Sequence, residues 1–385
     1  MPERRFSKPG FRQLSNHPLS FEKSMIRWVN PLARRFMDTP KAPITIYDVA
    51  AQAGVSISTV SRALNDNAEI PEKTRAKVRA AAAELGWKPN PIARSLVVKK
   101  VNLIQVCFSW SSDQYRINLE NPWYLELLNG INKVAQEEEY GLLINTLSGV
   151  FDPQEVYRRV SRNAVDGVLL VSPYLTKDQL LQVKNYPVPV VLIGCHVDDA
   201  QMDFVDSDNR KGVGEVVKYL AGLGHRKIAC ITGETAISTD AAERLEEFKA
   251  AMKQRRLEVP QEFITGGDFG KESGHKAMKK LLQLKDRPTA VFASNDLMAL
   301  GAWSAALEEG LTVGKDIALV GFDDIPLASN APYSLTTVKQ DFRAISTQAT
   351  GLLIEKMRKP GEWKSRQVRV PTRLIQRASS GVRKK

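Results

Sequence analysis

The chain has little of what enzymes and secreted proteins display. Only three of its 385 residues are cysteine and four are histidine. Cys107, Cys195 and Cys230 lie far apart in apolar, strand-like runs. They read as reduced core residues, which excludes a disulfide framework and points to a cytoplasmic protein. The histidines are isolated, so no metal cluster is expected. No run of 18 apolar residues exists to span a membrane. The N-terminal stretch is broken by Arg, Lys and Pro and lacks the apolar centre of an export signal, which argues against a secreted solute-binding protein. Also missing are G-x-S-x-G, G-x-x-x-x-G-K and G-x-G-x-x-G. Without a nucleophile elbow or a phosphate loop there is no case for an enzyme, and no cofactor is expected. The pair Gly266-Gly267 fits none of these patterns.

What is present is positive charge, unevenly placed. The formal net charge is +12. Residues 1–100 hold 18 Lys and Arg against 8 Asp and Glu, and the remainder holds 37 against 35. A basic excess confined to one end is the footprint of a nucleic-acid-binding segment. A generic solvated surface would not be so lopsided.

That end carries the most telling stretch, I-T-I-Y-D-V-A-A-Q-A-G-V-S-I-S-T-V-S-R-A-L-N, from Ile44 to Asn65. Thr45 and Asp48 have capping-box spacing at the start of a first helix. Ile46, Val49, Ala50 and Ala53 recur on one helical face. Gly54 stands where a helix end needs a left-handed residue. Ser56 caps a second helix, whose inner face is Val60 and Leu64; Ile57, Ser58, Ser61 and Arg62 point outward. Two short helices about a Gly turn form a helix-turn-helix, whose second helix enters the major groove. Taken alone, the same pattern is also a generic helical hairpin. Ile70-Pro71-Glu72 opens a third helix with Pro in its first turn, striped by Val78, Ala81, Ala82 and Leu85 and stopped by Gly86. Two prolines then forbid a helix through Lys88 to Asn90, while Pro91 can start a short one. About two turns of helix are marginal alone, so this piece needs a partner to order it.

The run Y-D-V-A-A-Q-A-G-V-S-I-S-T-V-S-R-A-L-N, the K-x-R-x-x-V helix and K-P-N-P-I-A-R-S-L together resemble the headpiece and hinge of the lactose/galactose repressor family. The resemblance implies that Ile57, Ser58 and Arg62 face base edges, a guanidinium being able to bond guanine O6 and N7 together. It places Thr45, Ser56, Thr59, Ser61 and Asn65 against phosphates, where they fix register. It makes Asn90, Ala93, Arg94 and Leu96 a minor-groove hinge, with Leu96 as the apolar wedge. The expected organisation is a basic extension over 1–42, a headpiece over 43–88, a hinge over 89–100 and a core over 101–385. The extension departs from the family. It reads either as a disordered basic arm or as residues ahead of the true start.

From Val101 short apolar strands alternate with amphipathic helices: strands at 103–108, 141–146, 167–171, 188–193, 227–232, 290–293 and 317–322, and helices at 124–139, 154–163, 212–223, 241–255, 274–284 and 296–309. This is the pattern of parallel sheets covered on both faces. The fold class is therefore a small all-α helix-turn-helix headpiece plus an α/β core of two doubly wound parallel-sheet lobes. Ligands in such sheets bind at the carboxyl ends of the strands. The residues there are Trp123 and Tyr124, Arg244, Phe269, Asn295-Asp296 and Asp323-Asp324. Flat rings with Arg, Asn and Asp suit a polyhydroxylated ligand. Singly, Asn295 and Asp323 are equally readable as helix caps and Trp123 as core.

Further runs extend the resemblance over about 340 residues: V-x-x-D-N-x-x-G, L-G-H-R-K-I-A-x-I-x-G, S-N-D-x-M-A-x-G, V-G-F-D-D, L-T-T-V-K-Q-D-F and V-P-T-R-L-I-x-R-x-S. They are similar to the family's periplasmic-binding-protein-like core. The resemblance implies effector bonds from Arg244, Asn295 and Asp323, pocket walls from Trp123, Tyr124, Phe269 and Phe342, and lobe crossovers near 206, 338 and 370. It also implies partners: double-stranded operator DNA, a second copy of the chain, and a small-molecule effector, with carbohydrate the leading class. A nucleobase or a protein corepressor in the same role stays open. The Ser109–Glu120 loop is longer than the family's and lies near the expected pocket mouth or pairing lobe. No leucine heptad closes the chain, so no tetramerising coiled coil is expected.

Overall fold

The computed structural model describes residues 44–88, 100–109, 122–147, 154, 156–158, 160, 165–172, 175–197, 199–359 and 361–381. The extension over 1–42, the hinge residues Asn90, Ala93, Arg94 and Leu96, and all but the first residue of the Ser109–Glu120 loop lie outside them. The chain divides into two compact units, within residues 1–93 and 94–385.

The first unit is three helices: α1 (Ile46–Ala53), α2 (Ile57–Leu64) and α3 (Glu72–Leu85). Asp48 accepts from both the backbone N and Oγ1 of Thr45 at 2.7 Å, closing the start of α1. Gly54 ends it at φ +62°, a conformation in which a Cβ would be strained. Ser56 Oγ accepts from the backbone N of Thr59 at 3.2 Å and starts α2. The core is Val49, Ala50, Ala53, Val60, Ala63, Ile70, Val78, Ala81 and Ala82. Ala63, not Leu64, fills the centre of the inner face of α2; Leu64 packs at its edge. The small residue leaves room for α1 and α3 to pack on α2. Pro71 precedes α3 as its N-cap and so stands just ahead of the first turn.

The second unit holds two six-stranded sheets. The first lobe contains β1 (Leu103–Ser109), α4 (Pro122–Glu137), β2 (Gly141–Leu147), β3 (Gly167–Val171), α5 (Lys177–Gln182), β4 (Val190–Ile193) and β5 (Phe204–Ser207). The second contains α6 (Asn209–Gly222), β6 (Ile228–Thr232), α7 (Thr239–Gln254), β7 (Ile264–Gly266), α8 (Lys271–Leu282), β8 (Ala290–Ala293), α9 (Asp296–Glu308), β9 (Ala318–Asp323), α10 (Pro326–Ser329) and β10 (Thr336–Lys339). The chain then returns to the first lobe with α11 (Phe342–Arg358) and β11 (Gln367–Val370), and ends in the second with β12 (Arg373–Ile375). Strand order is β11-β5-β4-β3-β1-β2 in one sheet and β12-β10-β9-β8-β6-β7 in the other. All pairings are parallel except β10 with β12. Three short connections, 207–209, 339–342 and 370–373, thus pass between the lobes.

Strands β3, β4, β6, β8 and β9 are buried along their whole length, as helices on both faces require. Phe248 and Phe292 are fully buried with ring centroids 6.2 Å apart; each such ring contributes about 2–3 kcal/mol by burial. The longest helix, α11, was not among the expected ones. Its Ser, Thr and Gly are weak helix formers, and it is held by packing on α4 and on the first sheet. The expected helix at 154–163 is seen as helical residues at 154, 156–158 and 160; the rest of it lies outside the described residues.

Candidate functional site

On the headpiece the exposed residues gather along α2. Ile57 is 40 % exposed, Ser58 is exposed, and the Arg62 side chain is 50 % exposed. Arg62 meets Ser58 O only at 3.4 Å and Glu69 at 3.8 Å. A loose surface pair of this kind contributes little, so the guanidinium stays available to an outside acceptor. Ser56, Ser58 and Thr59 crowd the start of α2, their hydroxyls 2.8 and 2.9 Å apart. There the helix dipole favours an anion. Asn65 spends its amide on Ser61 O at 2.8 Å. Thr45 is exposed at the start of α1. Tyr47, which sequence reasoning passed over, is 67 % exposed on the same turn. Its only signal was an aromatic set outside the i, i+3, i+4 stripe. Residues 44–88 carry 6 Lys and Arg against 5 Asp and Glu. Most of the basic excess therefore belongs to the segments flanking the helices.

In the second unit one cleft, with a volume of about 810 Å³ including its open mouth, lies between the lobes. Trp123, Tyr124, Arg244, Phe269, Asn295, Asp323 and Phe342 all line it. Trp123 and Phe342 approach with ring centroids 6.1 Å apart from the first lobe. Phe269 faces them from the second, in a left-handed backbone at φ +65°. Gly233 makes room for that ring: a Cβ there would lie 2.2–2.7 Å from it.

The polar side chains are held on all sides. Arg244 donates to Asn209 Oδ1 at 2.8 Å, Ser294 O at 2.7 Å and Asp240 Oδ2 at 3.3 Å, and stacks 4.0 Å over the Phe322 ring. Asn295 is both a cap and a lining residue: its Oδ1 accepts from Met298 N at 2.9 Å to start α9, and its Nδ2 donates to Phe269 O at 2.9 Å. Asp323 sits at φ +133°, a strained conformation of the kind that recurs at binding sites. Its Oδ1 accepts from Gln340 Nε2 at 2.6 Å. Burial, then repulsion from Asp296, pushes its carboxyl up to about 8. Of the neighbours named with these residues, Asp296 is buried and ties α9 to Thr337 and Ile325, while Asp324 pairs with Arg377.

Sequence reasoning missed Ser172, Gly194, Ser238, Thr239, Asp240 and Gln340, which also line the cleft. Asp240 had one signal, its place a helical turn before Arg244. Gln340 stood inside a quoted motif. The others become visible only once the lobes face each other.

A small helical DNA-reading unit joined to a two-lobed core with a ligand-sized cleft defines the class: a DNA-binding transcription regulator with a periplasmic-binding-protein-like sensor. Residues 45–90 match the family model for bacterial regulatory proteins of the lacI family, and residues 217–380 that for the periplasmic binding protein-like domain. The chain belongs to the lacI family and is a DNA-binding transcriptional repressor. It is 36% identical over 320 residues to the ribose operon repressor of Escherichia coli K12, covering 82% of this chain and 94% of the relative. It is also 36% identical over 344 residues to the HTH-type transcriptional repressor PurR of Serratia proteamaculans, covering 87% and 96%. The lac repressor dimer bound to operator and the anti-inducer ONPF superposes with a TM-score of 0.75 at 28% identity, covering 88% and 100%. Like these relatives, it is a repressor and not an enzyme.

Proposed function

We propose that this repressor binds a pseudo-palindromic operator as a dimer and is switched by an uncharged, polyhydroxylated small molecule, a sugar, in the interlobe cleft. The observation that carries the reading is the lining of the cleft. Four aromatic rings, Trp123, Tyr124, Phe269 and Phe342, line the cleft and suit C–H surfaces, and Arg244, Asn295, Asp240, Asp323 and Gln340 offer bonds to hydroxyls. Among the described lining residues Arg244 is the one cation, and it is already bonded to Asp240, while a second carboxyl, Asp323, stands in the same cleft. Arg244 also donates to Asn209 Oδ1 and Ser294 O, so a phosphate or carboxylate ligand would find that charge already engaged, which favours a neutral ligand. The ribose operon named for one relative agrees with a sugar; the flat aromatic walls also suit a nucleobase, and the PurR relative carries no sugar in its name.

On this reading Ile57, Ser58 and Arg62 face base edges, while Thr45, Ser56, Thr59, Ser61 and Asn65 meet phosphates. Asn90, Ala93, Arg94 and Leu96 form the hinge that enters the minor groove. Ligand closes the lobes and changes how the paired hinges fold on DNA, a coupling free energy between two sites. Calorimetric titration with a panel of pentoses, hexoses, disaccharides and nucleobases tests it, followed by operator binding with each ligand that binds. A sugar that binds and shifts operator affinity supports the reading. Binding by nucleobases alone replaces the ligand class, and a panel in which nothing binds leaves a protein corepressor as the better account.

A further inference from the structure

A charged pair joins the two lobes outside the cleft, beside two of the crossings. Glu243 of α7, in the second lobe, is a buried carboxylate with 2 % of its side chain exposed. It accepts four bonds. Two come from its own lobe: Asn209 Nδ2 donates to Oε2 and Arg210 Nε to Oε1, each at 3.1 Å. The other two come from the first lobe, where Arg369 of β11 donates from Nη1 to Oε2 at 2.8 Å and from Nη2 to Oε1 at 3.1 Å. This two-pronged geometry is the strong form of a guanidinium–carboxylate pair. Arg369 is also seated on its own lobe. Its Nη1 lies 3.5 Å from Asp206 Oδ2 and 3.4 Å from Ser207 O, and its guanidinium stands 5.3 Å from the centre of the Phe204 ring. Two single neutral bonds cross nearby, from His196 N to Thr239 Oγ1 at 3.1 Å and from Leu175 N to Ile237 O at 3.0 Å. Neither Glu243 nor Arg369 lines the cleft.

We propose that Arg369 and Glu243 form a latch that holds the lobes in the arrangement seen here while the cleft is empty, and that Asn209 ties the latch to the cleft. The latch follows from an asymmetry of burial. The Arg369 side chain is 34 % exposed, so when the lobes part it can turn to water. Glu243 stays buried on α7 with half of its donors gone. A buried carboxylate stripped of its cation is costly, so the arrangement that keeps the pair is favoured. The tie to the cleft runs through one amide. Asn209 Nδ2 donates to Glu243, and its Oδ1 accepts from Nε of the cleft residue Arg244 at 2.8 Å. The amide cannot turn over without losing both bonds. A ligand that draws on Arg244 therefore moves Asn209 and is felt at Glu243. It shifts the lobes by the difference in its affinity for the latched and the unlatched chain. The latch stands on its own bonds, and its tie to a ligand rests on the reading of the cleft as a ligand site.

The test uses the full chain with Arg369→Met, Arg369→Lys and Glu243→Gln. One nitroxide is placed on each lobe, through Gln182→Cys on α5 and Lys253→Cys on α7. Both positions are exposed and the three native cysteines are buried. Labelled chain is diluted in unlabelled chain, so that electron–electron resonance reads distances within one chain. Without ligand, the wild type should show one dominant distance between lobes. Arg369→Met and Glu243→Gln should add a second distance, populated to about a tenth or more, and Arg369→Lys, with a single prong, should fall between. Arg369 is partly exposed, so its variants decide the matter even if Glu243→Gln does not fold. Identical distances in the wild type and Arg369→Met would overturn the latch. Affinity for a duplex selected with the wild type should change about fivefold or more in Arg369→Met; altered distances with unchanged affinity would overturn its part in switching. D-ribose, D-fructose, D-galactose and cellobiose are then titrated calorimetrically. A sugar that binds the wild type should change affinity about fivefold or more in Arg369→Met, although Arg369 does not line the cleft, and equal affinity would overturn the tie through Asn209. If none of these sugars binds the wild type, the sugar reading falls, and the ligand-free distances still decide the latch.

Discussion

Asp323 bears three constraints at once: a strained backbone, burial beside Asp296, and a place in the cleft wall. Its pKa of about 8 and that of Asp296, about 6, both stand above the unfolded value of about 3.9. Their stabilising contribution is thus complete below about pH 4, where folded and unfolded chains alike are protonated, and is lost as pH rises through the folded values. Melting temperature should fall between about pH 5 and about pH 8, and Asp323→Asn should flatten the upper part of that fall. At the other end of the chain, Arg62→Ala should remove sequence preference and leave weaker, salt-sensitive binding. Anisotropy with selected and scrambled duplexes reads this; equal selectivity in the variant would remove Arg62 from base recognition. These residues were legible because each sits in a dense local motif. Asp240 and Gln340 were not, since their meaning lies in partners on other segments: Asn209, 31 residues before Asp240, and Ser207, 133 residues before Gln340.

At the scale of elements, α8 and α9 pack through paired glycines. A Cβ on Gly274 would stand 2.1 Å from Met298 O, and one on Gly301 would stand 1.8 Å from Lys271 O. Both contacts are with backbone, which cannot step aside. Gly301→Ala should therefore cost about 1–3 kcal/mol or more, read as a lower denaturation midpoint with an unchanged slope. In the headpiece, Ser56→Ala removes the cap of α2 and should cost about 1 kcal/mol, measurable by melting residues 44–88 within the full chain through local hydrogen exchange. Capping, the Gly54 turn and the buried strands were readable because they depend on local chemistry and on period. The helix α11 and the strands β5, β7, β10, β11 and β12 were not. The strands are three or four residues long, and α11 owes its helix to the sheet beneath it and not to its own propensity.

For the whole molecule, two facts of sequence bear on how it works. The basic excess lies in the segments flanking the three helices, so non-specific attraction to phosphate belongs there and discrimination belongs to α2. The second unit has three connections between its lobes, and cleft residues bond directly to two of them: Asp323 through Gln340 to Ser207, and Arg244 to Asn209. A ligand that pulls on Asp323 or Arg244 therefore pulls on the crossings. The fold class and the seven expected lining residues could be read from motifs. The bonds that tie the cleft to the crossings could not, because they join side chains from segments far apart in the sequence.

The most direct test is operator affinity of the full chain with and without a saturating ligand taken from the sugar panel, for the wild type and for Asp323→Ala. The account predicts that the ligand changes wild-type affinity about tenfold or more and leaves the variant's affinity unmoved. A ligand that occupies the cleft yet leaves wild-type operator affinity unchanged would contradict it.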